Sequence, residues 1–581
     1  VLRFSGLSPS HFFTVTASAL TALALACVTL TVPIAHAETP SSGGTIPGAA
    51  RHAAIHRVVA HANSDHGAHI VRVATNEDAA KKRRTTGRAR ARRADQPSPK
   101  ARAAAAESTA RLNARATSVS ARGKRIEVPA GPLPPTVMRG LALGHLPVSS
   151  ISALVIRLDT DQRVLDYNTQ RPMAPASTMK TLTTYAALSM LGANFRWTTS
   201  AFVDGPIQNG VLNGNLYIEG TGDPFLVPEQ LTDLINQIRA AGITRINGDL
   251  VLDKNYFDPS TASADIIDDS TDAPYNVGPD ALLYAFKSLT INVDPDVDGH
   301  AQVTITPPLS QLRVTNNIRP FRGPCRSTAA AQPHISNGPD GTLNVSFEGP
   351  LSLRCGPMQN NIAVMDHTRF FSGGFLALWQ QAGGTFNGSI REATIPVAAR
   401  RIAAHQSPPL TDIVKSMNKV SNNTMARNIY LTIGAVAYKP PATLEGADIA
   451  VKRWLRRSKI GDDGIVVDNG SGLARDARIS TETMGEMLQS AFHSPVAQPL
   501  IDSLPTVGVD GTMRHRLVHS PIAGHAQIKT GTLSNVRAIA GYVFAANGHP
   551  YLVVSFINDP RSSLGGAAHD ALLDWVYNLP G

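Results

Sequence analysis

Three short segments, far apart in a chain of 581 residues, carry the residue types that nucleophilic acyl chemistry needs. Ser177-Thr178-Met179-Lys180 sets a hydroxyl and an amine three residues apart, so on a helix they share a face. The turn-forming Pro175-Ala176 precedes them and puts the Ser177 hydroxyl at a helix N-terminus. The partial positive charge there favours a developing alkoxide. The competing reading of Ser177 is an ordinary N-cap serine. For Lys180 to act as a base it must be half neutral near pH 7. From an ordinary lysine value of about 10.4, that requires about 4.6 kcal/mol of bias toward the neutral form. Burial and a second cation are the physical means, and Lys529 is the candidate cation. A second match to the same pattern, Ser416-Met417-Asn418-Lys419, lies inside a helical run and reads as a plain helix face.

Ser421-Asn422-Asn423 continues that helix-like stretch beside Met417, Val420 and Met425. Ser421 has the chemistry to pass a proton to a leaving group, and Asn423 to bind a substrate amide and Lys180. A polar helix face is the competing reading. Lys529-Thr530-Gly531-Thr532 follows Ala526-Gln527-Ile528 and precedes a terminal hairpin. A strand there can pair with an extended peptide. Lys529 and Thr530 would meet a carboxylate, and Gly531 would let a ligand backbone come close. The backbone N–H groups of Thr532 and Ser177 would form an oxyanion hole. Each segment alone is a weak signal. Their conjunction, in this order, predicts serine acyl transfer.

The elements that must position these groups are legible in outline. Residues 153–158 and 163–167 read as two strands joined by a tight turn, and 178–191 as a helix stopped by Gly192. From about 200 to 365, short apolar stretches alternate with Gly, Asn, Asp and Pro turns, which predicts one or two small β-rich domains. Helical patterning returns at 410–435 and 447–457. Residues 537–545 and 551–557 flank Asn547-Gly548, a hairpin signal, and 567–579 read as a closing helix.

The formal charge of +10 is unevenly placed. Residues 38–125 hold 18 Lys/Arg against 6 Asp/Glu, and the chain from 126 onward is slightly acidic. The folded part therefore gains no support from charge as a nucleic-acid binder. Residues 1–37 read as an export signal: Arg3, an apolar run, then the small-x-small site Ala35-His36-Ala37. An uncleaved anchor is the alternative, since the run is long enough to span a bilayer. Residues 38–133 read as a basic linker that buries too little apolar surface to order itself, either a solvated spacer or a contact to anionic envelope polymers. Cleavage near Ala37 would leave Cys325 and Cys355, an even pair that reads as a disulfide in an exported chain.

With these residues in hand, the chain resembles the serine penicillin-binding proteins over about residues 140–581. More narrowly it resembles the low-molecular-mass class C, type-4 D-alanyl-D-alanine carboxypeptidase/endopeptidases. Ser421 follows Ser177 by 244 residues, whereas class A β-lactamases and type-5 carboxypeptidases have a much shorter interval. Gly222-Asp223-Pro224, Ile246-Asn247-Gly248-Asp249, Asp468-Asn469-Gly470-Ser471-Gly472-Leu473 and Gly508-Val509-Asp510-Gly511-Thr512 strengthen the likeness and otherwise read as turn chemistry.

The resemblance implies an α+β fold. Its catalytic domain, an antiparallel sheet flanked by helices as in serine β-lactamases and transpeptidases, would be split into 134–200 and 366–581 around a β-rich insertion at 201–365. It also implies an acyl-enzyme on Ser177, peptidoglycan stem peptides as substrates, β-lactams as acylating mimics, a periplasmic location, and no cofactor or metal. Relatives read the diaminopimelate side chain with an acidic residue of the insertion. Asp265, Asp268, Asp269 and Asp272 fall near that place, Asp268 and Asp269 being the candidates, and a solvated acidic loop is the competing reading. Two rivals remain: a β-lactamase, and a non-catalytic envelope-binding protein whose basic tail does the work.

Overall fold

The computed structural model describes residues 131–263, 267–297 and 299–581. The export signal, residues 38–130 of the basic linker, and Asp265 lie outside the described residues. The α+β architecture expected from sequence is present. A five-stranded antiparallel sheet is built from both ends of the described chain. Its strands are β1 (Ile151–Arg157), β2 (Gln162–Tyr167), β3 (Ala526–Leu533), β4 (Val536–Phe544) and β5 (Pro550–Asn558), in the order β3-β4-β5-β1-β2. Ala153 and Val155 face one core, with Val137 and Leu141 of an N-terminal helix and Leu572 and Val576 of the C-terminal one. Leu154 and Ile156 face another, with the central helices. Both faces of the sheet are covered at β1, β4 and β5, and these three strands are correspondingly apolar on both sides.

Three helices frame the site: α1 (Met179–Met190), α2 (Leu410–Val420) and α3 (Asn423–Tyr438). Sequence periodicity predicts one unbroken helix over 410–435. The structure breaks it at Ser421, which is left-handed at φ 59° and ψ 37° and closes α2, while the Asn422 side chain accepts from Met425 N and caps α3. Left-handed backbone costs a non-glycine residue energy, and here that strain turns the Ser421 hydroxyl out of the helix face.

The intervening block holds a five-stranded sheet, a four-stranded sheet and two three-stranded sheets. Two features differ from expectation. A helix at Pro228–Ala240 lies within it, burying Leu231, Leu234, Ile235 and Ile238. The insertion also runs beyond 365. Strand Arg400–Gln406 pairs antiparallel with Thr198–Val203, and helix His367–Gln381 shares a core with Ala201, Leu216 and Leu250. Pairing between strands two hundred residues apart, invisible to local pattern, moves that boundary. In one small sheet Leu312–Phe321 and Leu343–Ser352 run parallel, and Cys325 is disulfide-bonded to Cys355 just past their ends. Among the described residues no helix is long and apolar enough to cross a membrane.

Candidate active site

Ser177 sits in a single 3-10 turn, Ala176–Thr178, that feeds α1. The turn is held by the backbone and side chain of Thr178, whose N and Oγ1 both donate to Pro175 O. Ser177 caps nothing. Its Oγ lies 3.0 Å from Lys180 Nζ. Lys180 is fully buried, and its amine also reaches Asn423 Oδ1 at 2.5 Å and Ser471 O at 2.7 Å. This set of partners fixes what the amine can do. A neutral amine has two N–H donors and one lone pair. An ammonium would donate to all three partners; in the neutral state Asn423 Oδ1 and Ser471 O accept the two N–H donors, and the lone pair is left for the Ser177 hydroxyl proton.

Electrostatics favours that neutral state. Burial, then the nearby Lys529 charge, then that of Arg427 hold Lys180 well below the ordinary lysine range. Lys529, equally buried, is pushed down to about 7 by desolvation. Its Nζ donates to Ser421 Oγ at 2.9 Å and to Thr530 O at 2.8 Å. Two serine–lysine pairs, Ser177–Lys180 and Ser421–Lys529, therefore meet in one place, with Asn423 between them. The decoy stands elsewhere: Lys419 donates to Leu504 O and to both carboxylate oxygens of Asp510.

Lys529 through Thr532 lie on β3, the edge of the central sheet. Ile528 N donates outward to Pro505 O at 2.7 Å, and Val507 N donates to Ala526 O, so residues 505–507 cover the first half of that edge. By the two-residue strand repeat, the N–H groups of Thr530 and Thr532 point the same way as that of Ile528. There the edge faces the Ser177 turn. A Cβ on Gly531 would stand 2.7 Å from Pro175 O and 3.0 Å from Ser177 N. Gly531 thus lets strand and nucleophile turn approach each other. Thr530 Oγ1 is held by Thr512 Oγ1 at 2.7 Å.

Sequence reasoning missed four groups. Ser471 takes part through its carbonyl, in a loop read only as turn chemistry. Asn469 Oδ1 accepts from Ser471 N and Oγ, and a Cβ on Gly472 would stand 1.9 Å from Ala176 O, so that glycine lets the loop pass under the nucleophile turn. Tyr275 O accepts from Asn423 Nδ2 at 3.3 Å, Arg427 is buried on α3, and Thr512 steadies Thr530. An Asn-Gly-Ser-Gly string next to an otherwise complete motif set was the one available signal. Asp268 and Asp269, the acidic candidates, lie in the segment just before Tyr275. Both are exposed at a turn, with φ of 60° and 54°, and Asp272 is half-buried in the same segment.

An antiparallel sheet carrying a serine–lysine pair beneath one edge strand defines a penicillin-recognising serine peptidase. The chain belongs to the D-Ala-D-Ala carboxypeptidase 3 (S13) family, whose model matches residues 137–578. It is 29% identical over 420 residues to the D-alanyl-D-alanine carboxypeptidase DacB of Haemophilus influenzae, covering 71% of this chain and 85% of that protein. It is 27% identical over 430 residues to a D-alanyl-D-alanine carboxypeptidase of Actinomadura sp. strain R39, covering 70% and 77%. The crystal structure of Haemophilus influenzae penicillin binding protein 4 aligns at a TM-score of 0.62 and 27% identity, over 76% of this chain and 99% of that one. The same protein has been solved in complex with a β-lactam.

Proposed function

We propose that the chain hydrolyses D-Ala-D-Ala ends and D-Ala–diaminopimelate cross-links of peptidoglycan stem peptides through an ester on Ser177. Ser177 Oγ bonds to the carbonyl carbon while its proton passes to Lys180 Nζ, and the carbonyl electron pair moves onto oxygen opposite the N–H groups of Ser177 and Thr532. Collapse breaks the C–N bond. The amine leaves with the Ser421 proton, and Lys529 reprotonates Ser421, so the positive charge has moved from Lys529 to Lys180. Water then attacks the ester and gives a proton to Lys529, while the Ser177 oxygen leaves with the proton held by Lys180. Both lysines return to their starting states. Lys529 and Thr530 face the terminal carboxylate, and Asp268 or Asp269 faces the diaminopimelate amine.

The observation that carries this reading is the proton accounting at Lys180, whose partners leave its lone pair for Ser177. β-Lactams acylate the same oxygen. The test is intact-mass measurement after benzylpenicillin. One adduct on the wild type, none on Ser177→Ala or Lys180→Met, and slow release are expected. An adduct on Ser177→Ala sinks the assignment, and turnover of bound penicillin within seconds would instead make the chain a β-lactamase. Digestion of cross-linked muropeptides with mass analysis reads the carboxypeptidase and endopeptidase activities.

The export signal at 1–37 and the basic stretch 38–133 fit an enzyme acting in the periplasm, the stretch serving as a tether or as a contact to anionic envelope polymers. The catalytic body, slightly acidic, has no charge basis for binding nucleic acid.

A further inference from the structure

The insertion does more than fill the interval between the motifs. Helix α3 carries Asn423 at its first residue and runs along the insertion. Asn428 clamps it, donating to Gly222 O and Asp280 O and accepting from Asp280 N. Leu431 and Ala435 pack with Phe257, Ala281 and Ala442. One turn before them on this face, Arg427 is 1% exposed and donates through Nη1 to Tyr275 O at 3.1 Å and to Val277 O. Tyr275 O is the same carbonyl that accepts from Asn423 Nδ2. An amide side chain has one donor end and one acceptor end. Once Nδ2 is committed to Tyr275 O, Oδ1 must face Lys180, as observed at 2.5 Å.

We propose that Arg427 is a positioning residue for the peptidase reaction, fastening residues 275–277 of the insertion beneath α3 so that the Tyr275 carbonyl orients Asn423 against Lys180. The inference rests on Lys180 being the base of the proposed reaction. Arg427 acts in two ways. Its Nη1 donates to both backbone carbonyls, from the end of a side chain whose length and plane a lysine does not reproduce. Its fixed charge also faces Lys180, the other charged group doing so being Lys529 from the edge strand. No motif carries this residue, and nothing in the three-segment chemistry requires it.

The test is the pH profile of the second-order rate constant for benzylpenicillin acylation, in the full chain and its Arg427→Gln and Arg427→Lys variants. With Lys180 as base, the acidic limb reports its protonation. Loss of the Arg427 charge removes a repulsion, so the limb of Arg427→Gln should move to higher pH by about half to one unit, slowing acylation about three- to tenfold on the limb. Arg427→Lys should keep the wild-type limb and lose rate on the plateau, because the shorter side chain cannot hold both carbonyls in place. An Arg427→Gln limb that does not move overturns the proposal. Should Arg427→Gln fail to fold, Arg427→Lys decides: a wild-type limb with a lowered plateau supports it, and a wild-type plateau or a displaced limb overturns it. Acylation of Lys180→Met at the wild-type rate would instead remove the reading of the base on which this rests. A dead Lys180→Met with an unmoved Arg427→Gln limb removes only the role of Arg427.

Discussion

Replacing Lys529 with methionine should abolish acylation and leave the fold more stable, relative to wild type, at low pH than at high. Lys529 is fully buried and titrates near 7 in the folded protein, against an ordinary 10.5. Between those values the folded protein binds one proton fewer than the unfolded chain, so this residue makes stability rise with pH across that window. Below pH 7 both states hold the proton, and burial of the charge costs a constant amount. At about 1.4 kcal/mol per pH unit the gap amounts to about 5 kcal/mol. Methionine of similar length removes that cost but forfeits the hydrogen bonds to Ser421 Oγ and Thr530 O, each about 1.5–3 kcal/mol for a charged donor. Together those two bonds offset about 3–6 kcal/mol, so the net change expected at roughly pH 6 lies between about −1 and +2 kcal/mol, and the pH dependence is the decisive signal. Relief of Lys180 favours the variant further, because the Lys529 charge is the second cause of that residue's displacement. Urea unfolding of wild type and Lys529→Met at roughly pH 6 and pH 9 measures the difference. The stability of the variant relative to wild type should fall by about 3 kcal/mol toward the higher pH. A relative stability that does not fall toward the higher pH refutes the account of Lys529 as a strained, desolvated cation.

Gly531→Ala places a methyl 2.7 Å from Pro175 O, so the edge strand must back away from the nucleophile turn. A misplacement of this order should slow benzylpenicillin acylation about 100-fold with a small change in melting temperature, and a near-normal rate would show that strand spacing does not matter. The Cys325→Ser, Cys355→Ser double variant opens a disulfide spanning 30 residues. It should destabilise the insertion by about 3–4 kcal/mol in chemical unfolding while leaving the acylation rate within about twofold. Asp268→Asn and Asp269→Asn should weaken discrimination between stem peptides with free and acetylated diaminopimelate amines, by no more than about fivefold, because both carboxylates are solvent-exposed and their ion pairs screened. Steady-state comparison of the two peptides reads it, and discrimination unchanged in both variants would assign that recognition to other residues.

The parts of this protein that sequence makes legible are those where chemistry dictates side-chain type. Nothing but a hydroxyl can be Ser177, and nothing but an amine with a perturbed charge can be Lys180, so a string search finds them. The hairpin of the central sheet is legible for a different reason: β4 and β5 bury both faces, and their largely apolar sequences flank an Asn-Gly turn. Where local pattern and long-range pairing disagree, pattern fails. The helix at Pro228–Ala240 carries a clear apolar repeat, but dense turn residues on both sides outweighed it. Strand Arg400–Gln406 belongs to a sheet begun at Thr198, and no local signal marks that pairing.

The illegible part of the site has a common physical character: it is backbone, or it is conformation. Ser421 is written into a helical repeat, and its left-handed φ of 59° is chosen by the packing of α2 and α3 rather than by its own propensity. Ser471 and Tyr275 contribute carbonyls, which every residue possesses, so their identity carries no signal. Yet these carbonyls decide the chemistry. Remove the Ser471 acceptor, and Lys180 has one donor without a partner and no reason to aim its lone pair at Ser177. Remove the Tyr275 acceptor, and Asn423 is free to turn its amine toward Lys180, an arrangement that sets donor against donor. The motif residues supply the reacting atoms, while two loops distant in sequence supply the hydrogen-bond directions that leave one proton path between them.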